Sequence, residues 1–223
     1  MAEHPPRRRA RGWLFDLDGT LLDTAPDFAH ALNLLRAEDA RLPLTIGEIR
    51  AHVSHGAGAL ISAAFPDCGD ALHKEARRTR LVSLYAAAAG RYSALFGGIE
   101  VVLERLTARG TPWGVVTNKP GWLTAPLLAK TGLATRAHCV VAGDSTPHAK
   151  PDPTPLLTAA AALGCAAGEC IYIGDAERDV AAARAAGMRA LIAAYGYVAA
   201  HEEPARWGGE ALVHTPLDLL AWI

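Results

Sequence analysis

Two aspartates one residue apart, Asp16 and Asp18, stand directly behind the apolar run Trp13-Leu14-Phe15 and directly before Gly19. An apolar run closed by a turn signal reads as a buried strand. In an open α/β sheet, ligands bind at the carboxyl ends of the strands. The acidic pair therefore falls where such a sheet does its chemistry. Side chains two apart on a strand share a face, which lets both carboxylates address one substrate.

Beyond this strand the pattern is helical to about residue 94. Thr24 is placed to cap a helix whose first turn holds Pro26 and Asp27. Phe28, Ala31, Leu32 and Leu35 then recur at helical spacing. Thr45 caps a helix over 46–53, Gly56-Ala57-Gly58 opens one ending at Phe65, and Gly69-Asp70 opens a long one ending near Ala89. From Leu95 helices and strands alternate. Strands are expected over 112–117, 137–141, 170–173, 189–194 and 211–214, and helices over 98–108, 120–130, 153–163, 176–186 and 216–222. That alternation implies parallel βαβ units with helices on both faces. The expected architecture is α/β, a Rossmann-like parallel sheet formed by residues 12–25 and 95–223. A helical insertion over 26–94 interrupts it, and a basic tail over 1–11 precedes it.

The 223 residues, 51% of them hydrophobic, suffice for one good core or a core plus a small second domain. The net charge of −1 gives no general pull toward nucleic acid or membrane. Arg7, Arg8, Arg9 and Arg11 make the tail locally basic, and a solvated segment is the expectation there. No run approaches the length of a membrane span. The four cysteines, Cys68, Cys139, Cys165 and Cys170, form no Cys-x-x-Cys pair and read as free buried thiols of a cytoplasmic protein. The nine histidines lack metal-ligand spacing; His55, before the glycine-rich helix start, is either a surface residue or an anion contact.

Three further stretches join the first. Val115-Val116-Thr117-Asn118 ends a strand in a hydroxyl, Lys150-Pro151 sits before a helix, and Gly174-Asp175-Ala176-Glu177-Arg178-Asp179 follows a strand. In this order and spacing they resemble motifs II, III and IV of the haloacid dehalogenase superfamily, with Asp16-Leu17-Asp18-Gly19-Thr20 as motif I. The resemblance implies a phosphatase that works through an aspartyl-phosphate. Asp16 would be the nucleophile, Asp18 the acid and base, Thr117 and Asn118 phosphate donors, and Lys150 a charge for the phosphoryl oxygens and Asp16. Four carboxylates in one cleft repel, and a hard cation relieves them. Mg²⁺ is expected on Asp16, the backbone carbonyl of Asp18 and Asp175, with Asp179 behind them or bound through water. Asp179 has an alternative use as a helix cap or as a partner of Arg178 or Arg184. Lys119 either reaches the site or reaches solvent.

An insertion between motifs I and II is similar to the helical cap of the phosphoglycolate phosphatase-like group. Tyr195-Gly196-Tyr197, Trp207-Gly208 and Pro216-Leu217-Asp218-Leu219 further resemble the N-acetylmuramic acid 6-phosphate phosphatases, although these end segments carry no known chemistry. The implied partner is a small phosphorylated metabolite, first N-acetylmuramate 6-phosphate and, as the alternative, 2-phosphoglycolate. Either carries a carboxylate that Arg36, Arg41, Arg50, Arg77, Arg78, Arg80 or Arg91 could pair with. A β-phosphoglucomutase-type mutase or a non-catalytic binding module ranks below both. The expected assembly is a monomer or homodimer.

Overall fold

The computed structural model describes residues 9–223; the tail residues before Arg9 lie outside the described residues. Strand β1 (Gly12–Phe15) leads to a two-residue strand β2 (Leu22–Asp23), then to helices α1 (Ala25–Glu38), α2 (Ile46–Arg50), α3 (Gly56–Ala64) and α4 (Ala71–Ala88). The chain returns through β3 (Ala94–Leu95) and alternates from there: α5 (Ile99–Ala108), β4 (Trp113–Val116), α6 (Gly121–Lys130), β5 (Cys139–Val141), α7 (Thr154–Ala162), β6 (Cys170–Gly174), α8 (Glu177–Ala185), β7 (Arg189–Ala193) and β8 (Ala211–Val213). The segment Pro216–Trp222 is a 3-10 turn rather than the expected α-helix. Its Pro-Leu-Asp start is held by Asp218, which accepts from the backbone of His214 and Thr215.

Six strands form one parallel sheet in the order β5-β4-β1-β6-β7-β8. β1 lies between β4 and β6, so its carboxyl end opens at the point where the strand order reverses. Alternation along β1 divides the core. Trp13 and Phe15 pack with Val102, Leu106 and Leu127 of α5 and α6. Leu14 packs on the other face with Leu156, Ala160 and Val180 of α7 and α8.

Helices α1 to α4 build a separate apolar cluster, with Leu32, Leu60, Leu81 and Tyr85 at its centre. Leu123 and Tyr197 join it from the sheet side. The helix starts differ in chemistry. Thr45 and Glu48 form a capping box, and Asp70 caps α4 through the His73 amide. Thr24 does not cap α1; its hydroxyl donates to Asp18 instead.

The chain enters and leaves this layer side by side. β2 pairs antiparallel with β3, Leu22 opposite Leu95. This two-strand tie is too short to show in the sequence pattern. Asp27, buried in the first turn of α1, accepts from the amides of Gly90, Tyr92 and Ser93 and from the Ser93 hydroxyl, so it moors the returning strand. The four cysteines are free, and Cys139 and Cys165 are only half-buried. Among the described residues no helix is long and apolar enough to cross a membrane.

Candidate active site

β1 stops at Phe15, so Asp16 and Asp18 sit in the turn beyond the strand and not on it. They share a cavity of about 290 Å³ but take different partners. The turn depends on Gly19, whose φ of +82° is left-handed and whose missing Cβ would meet Asp175 Oδ2 at 2.1 Å.

Asp16 points inward. Its Oδ1 accepts from the Leu17 amide at 2.8 Å and lies 3.0 Å from Lys150 Nζ. Lys150 comes from the loop after β5 and is fully enclosed. Its ammonium also contacts Asp179 Oδ1 at 2.8 Å, the Val116 carbonyl at 3.0 Å and the Tyr172 hydroxyl at 2.7 Å. Burial alone would pull this ammonium down, but the charges of Asp16 and Asp179 more than offset that and leave its pKa raised. Asn118 sets the loop: its amide group donates to the Lys150 carbonyl at 2.8 Å, and its Oδ1 accepts from the Lys150 amide at 2.9 Å. Both ends of the Asn118 side chain are thus engaged with Lys150. The side chain sets the Lys150 loop and keeps its second Nδ2 proton for the expected phosphate contact.

Asp175 follows β6. Its Oδ2 accepts from the Ser54 hydroxyl at 2.7 Å and the Tyr197 amide at 2.9 Å. Its buried Oδ1 has no hydrogen-bond partner among the described residues. Burial, then the charges of Asp16 and Asp179, push its carboxyl up to about 7. Burial likewise raises Asp16, with Asp179 adding to the effect and Lys150 opposing it. Carboxylate oxygens of Asp16, Asp175 and Asp179 lie within 4.8 Å of one another. A buried cluster of carboxylates with one oxygen unpartnered is the donor set of a hard divalent cation. Asp179 is the most occupied of the three. It pairs with Lys150 through Oδ1 and accepts from the Ala176 amide through Oδ2. It therefore takes up the helix-cap alternative as well, with Lys150 as its ion partner rather than Arg178 or Arg184. Glu177 is exposed.

Asp18 faces the helical layer. It accepts from Thr24 Oγ1 at 2.6 Å and pairs with Lys119 Nζ at 2.9 and 3.1 Å. Lys119 is buried, so the solvent alternative falls away. Burial opposes its charge, yet Asp18 outweighs burial and its pKa is raised. The ammonium also lies over the rings of Tyr85 and Phe28, at 4.5 and 5.0 Å from their centroids. Thr117, buried at the end of β4, accepts the Lys119 amide on Oγ1 at 3.2 Å, which leaves its proton to donate elsewhere.

Tyr197 is the residue whose work the sequence left unassigned. Its amide holds Asp175, while its hydroxyl accepts from the amides of Thr24 (2.6 Å) and Ala25 (2.9 Å) and donates to Asp23 (2.8 Å). Gly196 lets this loop in, since a Cβ there would meet the Gly19 carbonyl at 2.3 Å. The run Tyr195-Gly196-Tyr197 is visible in the sequence, but the groups its last hydroxyl holds lie over 170 residues away. Across the cleft, Arg178 donates to the Ser54 carbonyl at 2.6 Å. His55 makes a loose contact to Glu202 at 3.7 Å and is not among the residues lining the cavity.

The arginines of residues 26–94 are mostly engaged elsewhere. Arg41, Arg50, Arg77 and Arg80 pair with Asp67, Asp23, Asp39 and Glu38, and Arg36 bonds the carbonyls of Leu42 and Ala64. Of the seven, Arg78 lines the cavity, and its guanidinium is held by Glu75.

The family profile of haloacid dehalogenase-like hydrolases matches residues 13–193. A phosphoglycolate phosphatase of Xanthomonas campestris pv. campestris is 42% identical over 212 residues, spanning 95% of this chain and 96% of its own. An N-acetylmuramic acid 6-phosphate phosphatase of Pseudomonas aeruginosa is 37% identical over 214 residues, spanning 96% and 95%. Among solved structures, a predicted phosphoglycolate phosphatase from Haemophilus somnus aligns with a TM-score of 0.83 at 24% identity, over 96% of this chain and 98% of that one, a likeness of fold.

Proposed function

The chain belongs to the haloacid dehalogenase-like hydrolases and is a phosphatase of that family, and from this premise we propose that it hydrolyses a small phosphate monoester through an aspartyl-phosphate on Asp16. The observation that carries the reading is the enclosed Lys150 ammonium beside Asp16, set against a carboxylate cluster in which Asp175 Oδ1 is buried and unpartnered. Lys150 removes charge repulsion between the Asp16 carboxylate and an incoming phosphoryl group. The Leu17 amide fixes one Asp16 oxygen and leaves the other to attack phosphorus. Asp18 gives a proton to the departing alcohol oxygen. It then takes one from the water that cleaves the acyl-phosphate, a double use that needs a carboxyl near the reaction centre. Thr117 donates its free hydroxyl proton to a phosphoryl oxygen.

The clustered carboxylates fit a divalent cation, and we assign Mg²⁺ to Asp16, the Asp18 carbonyl and Asp175, with Asp179 behind them or through water. Bound there, the cation supplies positive charge to the phosphoryl oxygens and the surrounding acids. Residues 26–94 act as a cap that excludes water from the cleft, a role supported by the Ser54 contacts to Asp175 and Arg178.

For the substrate, the order expected from the sequence is reversed. The phosphoglycolate phosphatase of Xanthomonas campestris stands above the N-acetylmuramic acid 6-phosphate phosphatase of Pseudomonas aeruginosa in identity, 42% against 37%, a modest margin. We therefore place 2-phosphoglycolate first. The test is kcat/KM for both esters and for p-nitrophenyl phosphate, with Mg²⁺ and with excess EDTA. Turnover that survives EDTA would refute the metal assignment. A tenfold preference for the muramate ester, about 1.4 kcal/mol in transition-state binding, would restore the other order.

A further inference from the structure

The cap side of the cavity holds a polar pair that the proposed chemistry does not use. Tyr85, on α4, is 1% exposed; its hydroxyl lies against the Lys119 ammonium, and its own proton has no acceptor among the described residues. Its ring stacks on Phe28, centroids 3.9 Å apart and planes 14° apart, so the hydroxyl is held in one place. Lys119 lies against the same ring, and both residues line the cavity. Around them the wall is apolar, with Val53, Val82 and Leu123.

A buried hydroxyl proton without an acceptor is costly, and the cost is removed by a ligand that accepts it. The Lys119 ammonium has three protons, and the side-chain oxygens it contacts are the two of Asp18 and the Tyr85 hydroxyl. An anionic oxygen placed beside that hydroxyl would accept its proton and meet the ammonium's charge. An apolar wall with one ammonium and one unsatisfied O–H asks for an anionic acceptor, not for a neutral polyol. Its place is set by Asp18, the proton donor to the departing oxygen. A group beside Lys119 must hang close to the ester oxygen.

Resting on the phosphatase reading above, we propose that Tyr85 and Lys119 form the leaving-group subsite and select esters whose alcohol bears a carboxylate on the ester-bearing carbon, the phosphates of α-hydroxy acids. 2-Phosphoglycolate has its carboxylate there. The lactyl carboxylate of N-acetylmuramate 6-phosphate lies across the sugar ring from the phosphate and does not reach. Arg78, the other cation lining the cavity from that side, sits in an exposed pair with Glu75, whereas Lys119 is enclosed.

The experiment compares 2-phosphoglycolate with 2-hydroxyethyl phosphate, which replaces the carboxylate by a neutral group, in wild type, Tyr85→Phe and Lys119→Met. Because Lys119 also touches Asp18, the readout is the ratio of kcat/KM for the two esters within each protein, not the absolute rate. Wild type should prefer the carboxylate ester at least tenfold. Tyr85→Phe should cut that ratio severalfold, and Lys119→Met should bring it near one. In parallel, the binding ratio of 3-phosphonopropionate to propylphosphonate, neither of which can be hydrolysed, should fall in the same order by calorimetry. A wild-type enzyme that turns over both esters equally, or variants that retain the wild-type ratios, would overturn the subsite and leave the phosphatase standing. A protein inert toward every ester would overturn the phosphatase reading, and the phosphonate ratio would still decide the subsite.

Discussion

Replacing Asp175 by asparagine should stabilise the metal-free protein while removing its activity. The carboxyl titrates near 7 in the fold and at an ordinary 3.8 outside it, burial being the first cause. Between these values the folded state holds a proton that the unfolded state has lost, so stability falls as the pH rises through that window. Above pH 7 the cost reaches its full size, about 4 kcal/mol at 1.36 kcal/mol per pH unit. Asparagine keeps an oxygen for the Ser54 hydroxyl and the Tyr197 amide. Its amide group can donate toward Asp16 and Asp179, where the carboxylate could only repel them. At roughly 2–4 °C per kcal/mol for a chain of this length, the ceiling on the gain in Tm is about 8–16 °C. The assay is thermal unfolding in EDTA at pH 8 and pH 5, and again at pH 8 with Mg²⁺. In EDTA at pH 8 the variant should melt several degrees above wild type. At pH 5 the gap should shrink to less than half, because the wild-type carboxyl is by then protonated. With Mg²⁺ the wild type should gain and the variant should not. An equal or lower Tm for the variant in EDTA at pH 8, or a gap that ignores pH, would refute the electrostatic account.

Asp16→Asn should lower hydrolysis of any ester by several orders of magnitude while circular dichroism stays unchanged; near-normal turnover removes Asp16 as nucleophile. Lys150→Met leaves Asp16 and Asp179 buried and unpaired, so it should cost about 3–5 kcal/mol in urea unfolding, and adding Asp16→Asn should recover part of that; a loss below 1 kcal/mol contradicts the pairing. Asp27→Ala strips the clamp from residues 90–93 at a cost of about 3 kcal/mol, and limited proteolysis should then cut there first; an unchanged digestion pattern argues against the mooring.

The acids and Lys150 were legible because each stands at the end of an apolar run or in a loop with its own local signature. Rossmann-like alternation likewise fixed the sheet, since strands such as Cys170–Gly174 are short, apolar and closed by turn residues. What escaped is of another kind. Lys119 meets Asp18 only because the loop after β4 passes beneath Tyr85 and Phe28, and nothing near Lys119 announces those rings. Thr24 has the composition of a cap, but its backbone is helical rather than extended, so its oxygen does not turn back to accept from the amides of α1, and its hydroxyl donates to Asp18. Asn118 also holds the Lys150 backbone from 32 residues away, a contact its own neighbourhood does not announce. For Lys119 and Asn118 the deciding partner is distant in sequence, and short-range pattern carries no trace of it.

The position of β1 at the centre of the sheet has a consequence for synthesis. Its register partners are Trp113–Val115 on one side and Cys170–Ile173 on the other. The strand made first cannot be fully paired until the chain has grown by some 160 residues. At about 5–20 residues per second, that is a wait of the order of ten seconds or more. Until β4 is made, Trp13, Leu14 and Phe15 have no strand to pair with, while α1 to α4, whose contacts are mostly local, are already complete and able to condense. The order of appearance therefore favours the helical layer folding first and the sheet last, with the sheet's closure set by its long loops. A ribosome stalled before residue 170 should present a folded helical layer attached to an apolar strand still open to solvent and to other chains.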